Sequence, residues 1–230
     1  MATNSKRGDK ILGKIEEEVS TEAISAFRRW RQKSKNGLLP IGIAQVGKTT
    51  FLTKFDADSP ALFLDFNRTL EINIDKLRLR QDFLDKCKGV EYYKKIDVPG
   101  DLPDQWAKAY FDTNPRVLVV MVDERSPEIH IKQLRVFLKH YSEGPSIWQR
   151  TKTVFGFRSN NLTRVLFVAN KADRFPDQAI KSISETYRGV LADLQSELGV
   201  PIQIFQATLT SDAKPQTELF HAVLDGLARK

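Results

Sequence analysis

Gly42-Ile43-Ala44-Gln45-Val46-Gly47-Lys48-Thr49 decides the fold of this chain. The octapeptide reads G-x-x-x-x-G-K-T and follows a short apolar run, Leu38-Leu39-Pro40-Ile41. A strand that feeds a glycine-framed turn and then a helix is the setting in which this pattern cradles phosphate. Glycines let successive backbone amides turn inward with no side chain in the way. The Lys48 ammonium would reach the outer phosphates of a nucleotide, and the Thr49 hydroxyl would ligate Mg²⁺. A helix from about Lys48 to Phe55 would aim its N-terminal end at the same anion. The plainer alternative is a glycine-rich turn beside a lysine, which the full spacing and the preceding strand disfavour.

Two further motifs narrow the ligand. Val165-Leu166-Phe167-Val168-Ala169 is an apolar run that ends in Asn170-Lys171-Ala172-Asp173, 122 residues beyond Lys48. A strand would deliver this group at its C-terminal end, where open α/β sheets bind ligands. Asp173 can accept from guanine N1–H and the 2-amino group, a donor pair that adenine lacks. Asn170 can donate to the O6/N7 side and tie the loop down, and the stem of Lys171 can lie over the base. N-K-x-D alone fixes only three residues and fits a solvated charged turn equally well. Between the two motifs, a short strand over Val90–Ile96 runs into Asp97-Val98-Pro99-Gly100. An Asp at a strand end can hold Mg²⁺, usually through water. A Gly three residues on can turn its amide toward a γ-phosphate. Asp-Val-Pro-Gly is also an ordinary turn sequence.

On these residues the chain resembles a small GTPase of the Ras-like superfamily, nearest to the ADP-ribosylation-factor and signal-recognition-particle-receptor-β branch. Gly42–Thr49 matches the family's phosphate loop, Asp97–Gly100 its D-x-x-G and Asn170–Asp173 its N-K-x-D. Trp106–Phe111 resembles the segment after the second switch, Val117–Asp123 the central strand, and Gln206-Ala207-Thr208 the start of the last base-contacting loop. The resemblance implies an α/β fold of the P-loop NTPase, small-GTPase-like kind: a mostly parallel six-stranded sheet with helices on both faces. It also implies GTP or GDP with Mg²⁺ as ligands. Gly42 and the backbone from Gln45 and Val46 through Gly47, Lys48, Thr49 and Thr50 would hold the phosphates. Asn170, Lys171, Asp173, Thr208, Leu209 and Thr210 would hold the base, and Thr49, Thr69 and Asp97 the metal. Thr69 lies 21 residues after Lys48, a fitting length for the first switch; Asp65 is a weaker alternative. Lys48, Thr69, Gly100 and Asp101 would act on the γ-phosphate. Asp101 stands where relatives often carry Gln or His, which implies slow hydrolysis. Ala44 replaces a frequent second glycine, and Thr208-Leu209-Thr210 departs from the usual small-residue pattern. The switch regions would meet an effector or regulatory protein.

At 230 residues the chain is long enough for one well-buried α/β domain with extensions, and 41% hydrophobic with 28% charged residues is ordinary for a soluble protein. No apolar run approaches the length of a membrane span. The first residues show no signal segment, Ala2 stands where myristoylation needs glycine, and the end shows no prenylation signal. The single cysteine, Cys87, cannot form an internal disulfide. These features predict a cytoplasmic protein, whether free or peripheral at a membrane. The net charge is +7, and residues 1–36 carry nine basic against five acidic residues, more than half of that excess. No aromatic-interleaved basic stripe accompanies the charge, so a nucleic-acid partner is not expected.

Residues 1–9 read as a polar disordered tail. Ile11, Leu12, Ile15, Val19, Ala23, Ile24, Phe27 and Trp30 recur at helical spacing, predicting an amphipathic helix over 10–36. It would pack on the domain or meet a partner or an anionic surface; three consecutive glutamates, Glu16–Glu18, argue against deep insertion. Residues 37–230 form the nucleotide domain, with strands over Leu38–Ile41, Leu70–Ile74, Val90–Ile96, Val117–Val122, 162–168 and Val200–Phe205. Helices are expected over 101–114, Glu128–Tyr141, Asp177–Leu198 and Thr217–Ala228, and an aromatic, arginine-bearing insertion over about 142–161. A nucleotide-binding regulatory or scaffold module without useful turnover, and an ATPase or kinase with a fortuitous N-K-A-D, remain as alternatives.

Overall fold

The computed structural model describes residues 37–58, 69–80, 83, 93–123, 126–144, 161–172, 180–209 and 214–228. The expected tail and amphipathic helix within 1–36, and all of the expected insertion but its edges, lie outside the described residues.

Six strands form one sheet: β1 (Gly37–Ile41), β2 (Asn73–Leu77), β3 (Tyr93–Asp97), β4 (Val117–Val122), β5 (Arg164–Asn170) and β6 (Ile202–Ala207). Their order is β2-β3-β1-β4-β5-β6. β2 runs antiparallel to β3, and every other pairing is parallel. Among the described residues six helices flank it: α1 (Lys48–Phe55), α2 (Pro103–Thr113), α3 (Pro127–Ser142), α4 (Ile180–Thr186), α5 (Arg188–Leu198) and α6 (Lys214–Ala228). The chain is thus the expected α/β sheet with helices on both faces.

The two faces divide the strand residues by parity, as a pleat requires. Leu39, Ile41, Leu118, Val120, Val122, Val165 and Phe167 pack under α2, α3 and α5, with Trp106, Leu134 and Leu194. Leu38, Val117, Val119, Met121, Leu166 and Val168 pack under α1 and α6, with Phe51, Phe55, Leu219 and Val223. Both faces being covered, β4 is buried along its whole length, so its sequence shows a continuous apolar run rather than alternation.

Two expectations shift most. The alternation of Leu70-Glu71-Ile72-Asn73-Ile74 predicts a strand there, but β2 begins at Asn73. Leu70 is 71% and Ile74 46% exposed, and only Leu77 of β2 is buried. β2 is an edge strand fixed by antiparallel pairing, Asn73 opposite Asp97 and Leu77 opposite Tyr93, so apolar spacing does not locate it. The helix expected to reach Leu198 is broken at Tyr187 into α4 and α5. Ile183, Tyr187, Val190, Leu194 and Leu198 are all buried on one face, so the apolar period carries straight across the break. The start expected near Asp177 lies outside the described residues.

The order places β1 at a reversal: the chain leaves it for β2 and β3 on one side and then crosses to β4 on the other. In such sheets ligands bind beyond the strand C-termini at this reversal. The glycine-framed turn begins there, at Gly42.

Candidate functional site

The turn between β1 and α1 is held open from within. Lys48 is only 6% exposed, and its Nζ donates to the carbonyls of Gly42 at 2.9 Å and Ile43 at 3.0 Å. The ammonium is therefore pinned under the loop it belongs to. Burial pulls its pKa from 10.5 down to about 8, against a smaller upward pull from the Asp97 carboxylate. Gln45 takes φ 62 and Gly47 φ 99. At Gly47 only a glycine fits: a Cβ would stand 2.5 Å from Asn170 Nδ2. Val46 is buried, while Thr49 and Thr50 are exposed at the first turn of α1.

β3 ends on Asp97, and two hydroxyls converge on it from separate segments. Thr49 Oγ1 donates to Asp97 Oδ2 at 2.8 Å, and Thr69 Oγ1 donates to the same oxygen at 3.0 Å. The other oxygen, Oδ1, is buried without a hydrogen-bond partner. A buried carboxylate oxygen left unsatisfied is costly, and an ion is one of its ordinary explanations. One carboxylate and two hydroxyls form an all-oxygen donor set, which suits Mg²⁺. Among the described residues no group of three or more His, Cys, Asp or Glu offers a competing metal site.

Beyond Asp97 the chain folds back onto the glycine-framed turn. A Cβ on Gly100 would stand 2.2 Å from the backbone nitrogen of Ala44, so only glycine permits this approach. Trp106, wholly buried on α2, donates Nε1–H to the carbonyl of Pro99 at 2.6 Å and anchors the turn. Asp101, the next residue, is exposed.

The far end of the site comes from β5 and β6. Asn170 is 4% exposed; its Nδ2 donates to the Val46 carbonyl at 2.8 Å, and its Oδ1 accepts the Leu209 N–H at 3.3 Å. One amide thus ties the phosphate loop, the end of β5 and the loop after β6. Thr208 and buried Leu209 sit at that junction. Lys171, at φ 65, donates Nζ to the Gln45 carbonyl at 2.7 Å and to Asp123 Oδ2 at 3.0 Å. Asp173 and Thr210 lie outside the described residues.

The structure therefore gathers Gly42, Gln45 to Thr50, Thr69, Asp97, Gly100, Asn170, Lys171, Thr208 and Leu209 along one edge of the sheet. Asn170 is expected to donate to a base and tie its loop; the bond its Nδ2 makes here is to the Val46 carbonyl of the glycine-framed turn. Asp123 and His130 carry no role in the sequence reading. Asp123 closes the all-apolar strand β4 at the ligand edge, and that position of a lone carboxylate is the signal that could have found it.

No family model matches the chain, and no curated protein matches it. Among solved structures, the chain is similar to bacterial selenocysteine-specific elongation factor EF-Sec, with a TM-score of 0.46 and 15% sequence identity. The match covers 83% of this chain and 28% of that one, so the chain spans little more than a quarter of that protein's length. Among the described residues, no helix is long and apolar enough to cross a membrane.

Proposed function

We propose that this chain is a guanine-nucleotide-binding switch that hydrolyses GTP slowly. The observation that carries the reading is the convergence of Thr49 and Thr69 on Asp97 beside the buried Lys48. Three segments distant in sequence meet there to form a cation site next to a phosphate loop. Lys48 binds and neutralises the outer phosphates, and the loop amides orient them. Bound Mg²⁺ would supply further charge neutralisation between the phosphates, held by Thr49, Thr69 and Asp97. Thr69 and the Gly100 amide would meet the γ-phosphate when GTP is bound and lose that contact after hydrolysis, which makes the two segments sensors. Asn170 ties down the base loop, Lys171 covers the base and Asp173 selects guanine. Leu70, Ile74 and Leu102, exposed beside the two sensor segments, suit contact with an effector or regulatory protein. The 10–36 segment suits a partner or an anionic surface. A cytoplasmic location fits these roles.

Asp101 favours a second reading, a nucleotide-binding module with negligible turnover, because a carboxylate beside a γ-phosphate repels it. Single-turnover hydrolysis of Mg²⁺-GTP by the wild type and by Asp101→Gln separates the two. A slow wild-type rate that rises on substitution supports the slow switch, and a fall on substitution makes Asp101 a catalytic base. No hydrolysis in either protein leaves the binding module.

A further inference from the structure

One buried polar cluster near the site has no part in the reading above. Asp123 follows β4 and is 0% exposed, and His130, in the first turns of α3, is 1% exposed. The Asp123 backbone N–H donates to His130 Nε2 at 3.1 Å, the arrangement open to a ring that carries its hydrogen on Nδ1. The same Nε2 lies 3.3 Å from Asp123 Oδ1. The ring thus occupies that side of the carboxylate, and Oδ2 is the oxygen that faces Lys171. Lys171 in turn grips the Gln45 carbonyl. The chain of contacts runs from α3 through the end of β4 and the base loop into the phosphate loop.

The two backbone positions it joins are both unusual. Gln45 and Lys171 are two of the three non-glycine residues with positive φ among the described residues, at 62° and 65°. Such conformations persist where surrounding contacts over-determine them. Lys171 also reaches a wholly buried carboxylate, Asp123. Lys171 is itself partly exposed, but losing it would take a charge partner from a wholly buried carboxylate, which is costly.

We infer that His130 and Asp123 are positioning residues for the nucleotide site: they set the carboxylate that holds Lys171 against both the base loop and the phosphate loop. Neither touches the nucleotide. They act through Lys171, much as outer-shell partners orient metal ligands. The inference rests on the guanine-nucleotide reading, since it assigns what Lys171 is being held for. It makes nucleotide residence time depend on a helix that bears no nucleotide-binding motif.

The test measures GDP dissociation with Mg²⁺ from the full chain, for His130→Leu, His130→Gln, Asp123→Asn and Lys171→Ala. Leu removes the acceptor at Nε2, whereas the Gln side-chain oxygen can replace it. His130→Leu and Asp123→Asn should each speed release by about tenfold or more, the scale of a lost hydrogen bond to a charged group. His130→Gln should restore most of the wild-type rate. Adding His130→Leu to Lys171→Ala should change release no further, because the route is already cut. Thermal unfolding without nucleotide reports folding separately for each variant. Wild-type release rates in folded His130→Leu, or full additivity with Lys171→Ala, would overturn the inference while leaving the nucleotide reading intact. A wild type that binds no guanine nucleotide would overturn both.

Discussion

Lys48 concentrates the physical chemistry of the site in one side chain. It is buried, it bonds to two carbonyls of its own loop, and its pKa is lowered to about 8. Because the folded value lies below the unfolded one, the charged form costs stability at low pH. That cost is relieved as pH rises from about 8 toward the ordinary lysine value. Phosphate bound at the ammonium favours the charged form, so binding takes up a proton where Lys48 is otherwise losing one. GDP affinity, measured between about pH 7 and 9.5, should therefore decline above about pH 8. Lys48→Ala should bind weakly with no such decline, and a wild-type affinity flat across the range would contradict this account of Lys48. Thr49 gives a companion case, because its hydroxyl already bonds to Asp97. Thr49→Ala should lose about tenfold in affinity with Mg²⁺ present and little with the metal chelated. Paired titrations with and without Mg²⁺ check this, and an equal loss in both would move the metal elsewhere.

At the scale of elements, the site is a set of strand ends pinned by side chains. Trp106 of α2 is the clearest pin, since it closes the Pro99 carbonyl and fixes the turn that brings Gly100 against Ala44. Trp106→Phe keeps an aromatic ring in the core but leaves that carbonyl without its donor. It should cost about 1–3 kcal/mol for the unsatisfied group alone, and somewhat more for the smaller ring. Denaturant unfolding measures it, and an unchanged midpoint would mean that the bond contributes nothing. The elements themselves were unevenly legible in the sequence. α1 and β4 lie where the glycine-framed turn and the run Val117–Val122 put them. β5 and β6 begin and end about two residues later than the strands expected over 162–168 and Val200–Phe205, because their ends follow register, with Asn170 opposite Ala207. β2 was misplaced because an exposed edge strand carries no apolar signal. The break at Tyr187 was hidden by a period that does not change across it. In the site, the residues within motifs were legible one by one. The Asp123–His130 pair was not, because it exists only through the packing of α3 beside β4.

At the scale of the whole molecule, one edge of the mostly parallel sheet collects residues from Gly42 to Leu209, nearly the full length of the domain. No short segment could hold this site, so ligand binding and folding are coupled, and a bound nucleotide should raise the unfolding temperature. The central claim is that the edge is built for a guanine nucleotide with Mg²⁺. The most direct measurement is a calorimetric titration of nucleotide-stripped full-length protein with GDP and with ADP, both in Mg²⁺. The account predicts saturable one-to-one binding of GDP that is at least about tenfold tighter than that of ADP, from one hydrogen-bonded donor pair. It also predicts that Lys48→Ala abolishes the GDP signal. Equal affinities for the two nucleotides, or GDP binding unchanged in Lys48→Ala, would contradict it.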